Sequence, residues 1–362
     1  ANQSVLIIAF CVSFAAMVTI IEASFHMKIL IQNDSMVPGF AAAQKIPDFT
    51  GITIKVASFG GGWAQVLDKY AGEEFRKTGG KVEFIPSHPS DALAKLIAAR
   101  GRAAPFDVVE MSDSTIQDFN KGGFIQTINL DMVPNKQYLD TKDFDSMKVA
   151  SWVTQEGFLY RPDKFKEAGI PTPTRYSDLA NPKLAGRVAM IDIGQSGAVQ
   201  FLVGAAIDGG GSESNLAPAY ETLKKINPAR YWKLGAEAMT ALASGDMWAS
   251  TMHSGFFLQS RKAGQEWAFV HPKVGDKQGL MKFGYLGVVK GSKQADAAAY
   301  FINTYIGESN QRAIFVERGA VAVNKKVLNE YKDDEKIKGI YILDDKSISN
   351  MVRINFDKLD PE

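Results

Sequence analysis

The chain has 362 residues, 46% of them hydrophobic and 22% charged, with a formal net charge of +1. That length admits two domains of ordinary size, and the charge balance gives no electrostatic pull toward nucleic acid or an anionic membrane surface. One cysteine, Cys11, excludes an internal disulfide and leaves no thiolate metal cluster.

Residues 5–21 are apolar and carry no charge, a run short for a spanning helix and long for a signal core. Ala41 and Ala43 supply the small-x-small pattern of a signal-peptidase site. Residues 1–43 are expected to be an export segment cleaved after Ala43, with an uncleaved membrane anchor as the alternative. Cleavage would remove Cys11, and a chain without thiols suits an oxidising compartment.

Beyond this segment, residues 52–59 alternate like a first strand, Gly60, Gly61 and Gly62 turn the chain, and 63–77 has helical periodicity. Such a turn exposes helix N-terminal amides, although it matches neither a P-loop nor a dinucleotide fingerprint. A strand over 81–87, a helix over 90–100 and a strand over 106–111 follow. Ser112, Asp113, Ser114 and Thr115 then cap another helix. Strands and helices in alternation imply a parallel sheet, and ligands bind beyond the carboxyl ends of its strands. Residues 58–63 and 112–115 fall at such ends.

Residues 149–160 form a long strand, and Pro162, Pro171 and Pro173 mark the loop after it. A strand over 188–193 leads through Gly194, Gln195, Ser196 and Gly197 into an apolar helix ending near Ile207. Helices are expected over 218–227 and 233–244, and strands over 246–251 and 267–270. His253, Ser254 and Gly255 turn into a further helix. The strand 283–289 precedes a turn in which Ser292 is placed to cap a helix carrying Ala298, Phe301, Ile302, Tyr305 and Ile306 on one face. Residues 318–323 read as extended and the tail as helical and charged.

No catalytic set emerges. The histidines are His26, His88, His253 and His271, none at metal-ligand spacing. Ser196 lacks the glycine that a nucleophile elbow needs two residues later, where Ala198 stands. Carboxylates look dispersed, with none expected to have a raised pKa. The pattern is that of a binder, not an enzyme.

Four segments carry a family resemblance: WVTQEGFLYRPDK (152–164), YSDLANPKLAGRVAMIDIGQSG (176–197), residues 245–255, and the strand, turn and helix of 281–310. In this order they resemble a type II periplasmic solute-binding protein of an ABC importer, nearest the spermidine/putrescine-binding group, over residues 52–325. The resemblance implies an α/β fold of two lobes joined by hinge strands, with a ligand cleft between them. Lobe one would comprise 45–152 plus 282–317, and lobe two 153–281 plus 318–362. It also implies a periplasmic monomer that closes on a small molecule and delivers it to a membrane permease, with no cofactor and no metal.

The ligand positions depart from the polyamine pattern. Where that group has tryptophan and a carboxylate on the returning strand, this chain has Lys282 and Gly284. Gln195 and Ser196 stand where an acidic residue is expected, and His253 replaces a tryptophan. The resemblance and the strand-end rule together give the candidate contacts Phe59, Gly61, Trp63, Ser112, Ser114, Thr115, Thr154, Gln195, Ser196, His253, Lys282 and Tyr285. Hydroxyls, an amide, a lysine and helix N-termini lean toward an anionic or zwitterionic solute such as a carboxylate or phosphonate. A polyamine ligand and a sensor role are the alternatives. Lys282 pairing with Glu156 or Asp113, and His253 serving only as a cap, are the structural readings of those two residues.

Overall fold

The computed structural model describes residues 46–359, apart from 101 and 196. The export-segment reading and Ser196 lie outside the described residues.

From Asp48 onward the chain forms one compact unit. Its strands are β1 (Thr53–Ser58), β2 (Lys81–Pro86), β3 (Val108–Ser112), β4 (Ile125–Gln126), β5 (Val149–Tyr160), β6 (Val188–Ile191), β7 (Arg230–Trp232), β8 (Ala249–His253), β9 (Ala268–Val270), β10 (Lys273–Val274), β11 (Lys277–Gln278), β12 (Leu280–Val289) and β13 (Val352–Arg353). The main sheet runs β2-β1-β3-β12-β5-β8-β6-β7. β1 pairs in parallel with β2 and β3, and β6 in parallel with β7 and β8. Between these two parallel sets lie β12 and β5, antiparallel to each other and to β3 and β8 respectively; at its start β12 also pairs in parallel with β13. Every residue of β5 and β12 is buried, as expected for strands covered on both faces. These two strands carry the chain from one parallel set to the other.

The helices are α1 (Gly62–Leu67), α2 (Pro89–Ala98), α3 (Ile116–Lys121), α4 (Pro162–Glu167), α5 (Ala198–Asp208), α6 (Ala217–Ile226), α7 (Gly235–Ser244), α8 (Ser254–Lys262), α9 (Ala295–Tyr305), α10 (Glu308–Arg318), α11 (Lys325–Tyr331) and α12 (Asp345–Ser349). α1 continues through a π-helical turn, Asp68–Gly72, into Glu73–Arg76. α9 buries Ala298, Phe301, Ile302 and Tyr305, the face that its sequence period specifies, and also Ala297, Ala299, Asn303 and Thr304, so it is covered on more than that face.

Several boundaries differ from the sequence reading. Ser292 does not cap α9, which starts at Ala295. Its hydroxyl donates to Asp107 (2.6 Å) and accepts from the Gln294 N–H (3.0 Å), fixing the turn instead. Arg318 ends α10 and does not open an extended piece. The extended contact comes at Val321, which bridges Val153. β7 is three residues long with only one of them buried, too short for a period to show. The strand expected over 246–251 is β8, displaced toward His253.

Candidate functional site

The carboxyl ends of the two parallel sets face a common cavity of about 320 Å³. Phe59, just past β1, lines it with Ser112, the last residue of β3, and Ser114 and Thr115 just past it. The opposite wall is Ile193, Gly194, Gln195 and Val199, past β6 and at the start of α5. The three hydroxyls form one group. Ser112 Oγ lies 2.9 Å from Ser114 Oγ and 3.2 Å from Thr115 Oγ1. His88 and Asp91, at the start of α2, complete the rim, and both are exposed.

Below this cavity the pleat of β5 puts Trp152, Thr154 and Glu156 on one face. Lys282 sits opposite Thr154, and Gly284 opposite Trp152. Lys282 is 8% exposed and its Nζ lies 3.5 Å from Glu156 Oε1 and 5.7 Å from the centre of the Trp152 ring. Thr154 Oγ1 donates to the same Glu156 oxygen at 2.6 Å. A second, enclosed cavity of about 30 Å³ touches Glu156, Thr251, His253 and Lys282, room for about one water.

His253 is the N-cap of α8. Its Nδ1 accepts the Gly255 N–H at 3.1 Å, and its ring packs on Phe256 with centroids 4.3 Å apart. Burial pushes its pKa down to about 4, opposed by the Glu156 carboxylate and helped to a smaller extent by Lys282. Tyr285 follows a bulge at Gly284 and lies away from the cavity. Its hydroxyl accepts from Arg353 Nη2 at 2.8 Å, and burial pushes its pKa up to about 12. Trp63 packs against Phe59 and Trp152 with centroids 6.1 and 6.0 Å apart. Gly61, at φ 62, is the N-cap of α1.

Of the sequence-derived contacts, then, Phe59, Ser112, Ser114, Thr115 and Gln195 meet at the larger cavity. Thr154, His253 and Lys282 belong to the buried ion-pair cluster beneath it, Trp63 to an aromatic cluster at its edge, and Tyr285 to neither.

One sequence expectation is corrected. Two carboxylates do sit in buried, apolar surroundings and have raised pKa values. Glu110, on β3, is 1% exposed. Its Oε1 accepts from Trp152 Nε1 (2.6 Å) and the Tyr305 hydroxyl (2.7 Å), and its Oε2 from Trp63 Nε1 (3.3 Å) and the Ser58 hydroxyl. Burial raises its pKa against the pull of these four donors. Asp113 accepts from the Phe283 N–H (3.0 Å) and from Gln200 Nε2 on α5 (3.4 Å). Burial raises its pKa to about 7. The signal for Glu110 was its place inside the run Val108, Val109, Glu110, Met111, which a half-exposed strand would not show. Among the described residues no group of three or more His, Cys, Asp or Glu could hold a metal.

The description of bacterial extracellular solute-binding proteins matches residues 65–339. The chain belongs to this family. No curated relative matches it. Solved structures of similar fold include an extracellular solute-binding protein from Bordetella parapertussis, at 21% identity and TM-score 0.68, covering 85% of this chain and 94% of that one. The Atu4243-GABA receptor matches at 19% identity and TM-score 0.70, covering 84% and 92%. AgtB from A. tumefaciens R10, in complex with agropinic acid, matches at 16% identity and TM-score 0.65, covering 85% and 94%. The fold is thus that of the two-lobed type II periplasmic binding proteins. As a member of the solute-binding family, the chain binds a small-molecule ligand. No helix among the described residues is long and apolar enough to cross a membrane.

Proposed function

We propose that this solute-binding protein is the substrate-binding component of an ABC importer, and that it captures an anionic or zwitterionic organic solute. The observation that carries the reading is the 320 Å³ cavity, walled by Phe59 and Ser112–Thr115 on one side and Ile193–Gln195 on the other. A solute there touches both parallel sets at once. Binding would favour closure of the lobes, taken as 45–152 plus 282–317 and 153–281 plus 318–362, by its differential affinity for the closed state. The protein would act as a periplasmic monomer and hand its cargo to a membrane permease.

The solute class follows from where the carboxylates go. A polyamine needs carboxylates facing it, because a buried ammonium without one costs several kcal/mol. Glu110 is filled by four donors, and Glu156 faces Lys282 and Thr154. Burial favours the neutral form of Asp113. The carboxylate at the cavity is Asp91, which is exposed. Apart from His88 at the rim, hydroxyls and an amide make up the rest of the polar wall, and they suit carboxylate or phosphonate oxygens. Two of the structural neighbours are a GABA receptor and a protein in complex with agropinic acid, an amino acid and an organic acid.

A thermal-shift panel tests this. A true solute at hundredfold excess over Kd stabilises by about 2.7 kcal/mol. Amino acids or organic acids are expected to raise the melting temperature. A rise with putrescine or spermidine and none with the acids would overturn the solute class.

A further inference from the structure

Lys282, the cation that the sequence offers to an anionic solute, faces Glu156 across an ion pair. A second cation stands at the other end of the same strand-end face. Arg318 is half-buried at the last turn of α10. Its guanidinium lies against the first βα turn, so closely that a Cβ at Gly62 would fall 2.8 Å from Nη1 and 3.2 Å from Cζ. On the other side the backbone of Gly319 touches Gly255. A Cβ at Gly255 would fall 2.7 Å from the Gly319 carbonyl oxygen. The Tyr341 hydroxyl holds that carbonyl at 3.1 Å. Arg318 therefore sits where the turn after β1 and the turn after β8 converge, between the carboxyl ends of strands from both parallel sets.

Its charge is not offset among the described residues. No carboxylate pairs with Arg318 among the described residues, and its Nε is buried with no hydrogen-bond acceptor. The adjacent acid, Glu317, is engaged by the Tyr70 hydroxyl at 2.9 Å. A buried guanidinium N–H without an acceptor costs free energy that a bound anion would return, and a planar fork of donors matches a carboxylate or phosphate. Close by, Ser254 Oγ, in the first residue of α8, is also buried without a partner.

We propose that Arg318 receives a negatively charged group of the solute beside Gly62, while the hydroxyls of Ser112, Ser114 and Thr115 in the cavity wall donate to its remaining oxygens. This rests on the cleft being the solute site. Lys282, by contrast, serves the ion pair that joins β12 to β5.

The experiment is calorimetric and thermal titration of the full chain with a panel of probes: γ-aminobutyrate, acetate, inorganic phosphate, fructose 6-phosphate, glycerol and putrescine. At least one anion-bearing probe is expected to bind the wild-type protein, and Arg318→Gln should weaken it at least about tenfold. Arg318→Lys should recover part of the loss. Gly62→Ala, which presses a methyl group onto the guanidinium without removing its charge, should also weaken the probe, and it carries the test if Arg318→Gln is unfolded. Unchanged affinity in the folded variants overturns the role of Arg318 and leaves the cleft reading standing. Binding of only glycerol or putrescine, or of no probe, overturns both.

Discussion

The indole of Trp152 occupies the space that a side chain at position 284 would need. A Cβ built on Gly284 would lie 2.1 Å from Trp152 Cε2 and 2.4 Å from Nε1. The tryptophan in turn donates to Glu110 Oε1 at 2.6 Å, so it has little room to retreat. Gly284 is thus the partner of Trp152 across the β5–β12 pair, and its lack of a side chain is a packing requirement.

Restoring a carboxylate at this position should therefore disrupt the hinge and not create a polyamine site. Gly284→Ala and Gly284→Asp are expected to destabilise the protein by about 1–3 kcal/mol through overpacking, with the aspartate at the upper end. Urea denaturation monitored by tryptophan fluorescence checks this. Wild-type stability in Gly284→Asp, together with putrescine binding, would show that Trp152 moves aside freely.

Much of the fold was legible in the chain. The long strand β5, the turns after β1 and β3, and the returning strand β12 all follow from period and turn chemistry. The site was less so, because its chemistry depends on cross-strand partners. Lys282 and Gly284 stand where the family pattern has a tryptophan and a carboxylate on the returning strand. The structure shows a tryptophan and a carboxylate on that same face, but on β5 as Trp152 and Glu156. Arg318 gave no signal at all. It stands in an ordinary helix-ending run, and only the fold brings it against Gly62.

The Lys282–Glu156 pair sets up a second test. Lys282→Met leaves the Glu156 carboxylate, 5% exposed, without its cation. Removing one partner of a buried pair costs about 3–5 kcal/mol. The double variant Lys282→Met/Glu156→Gln should recover most of that, since Thr154 still supplies a hydrogen bond at position 156. Additive losses in the double-mutant cycle would show that the two side chains do not act as a pair.

Glu110 is a positioning residue for the aromatic wall. Its two oxygens accept from Ser58, Trp63, Trp152 and Tyr305. Glu110→Gln replaces one acceptor oxygen by a donor and leaves buried donors unmatched, at about 1–3 kcal/mol each. Lower stability and a shift in tryptophan emission are expected together, because Trp152 donates to one oxygen and Trp63 to the other, so one of the two indoles loses its acceptor whichever oxygen is replaced. A destabilised variant with wild-type emission would separate Glu110 from the placement of the rings.

Asp113 and the two buried histidines should tilt the pH profile in opposite directions. Asp113 has a folded pKa of about 7 against an ordinary 3.8, so between those values the folded state holds a proton that the unfolded state has lost. Its contribution is present below about pH 4 and fades as pH rises toward 7. Lys282 favours the ionised form and Glu156 the neutral one, but burial dominates. His253 and His271, lowered from 6.5 to about 4, do the reverse, because their contribution is lost as pH falls through that range. Asp113→Asn removes one side of this balance. Its stability should rise more steeply with pH than the wild type between about pH 4 and 7, by at most about 1.4 kcal/mol per pH unit. Urea midpoints collected across that range decide the matter. A wild-type-minus-variant difference that stays flat would mean that Asp113 is ionised in the fold throughout, and that Gln200 and the Phe283 amide hold it as a carboxylate.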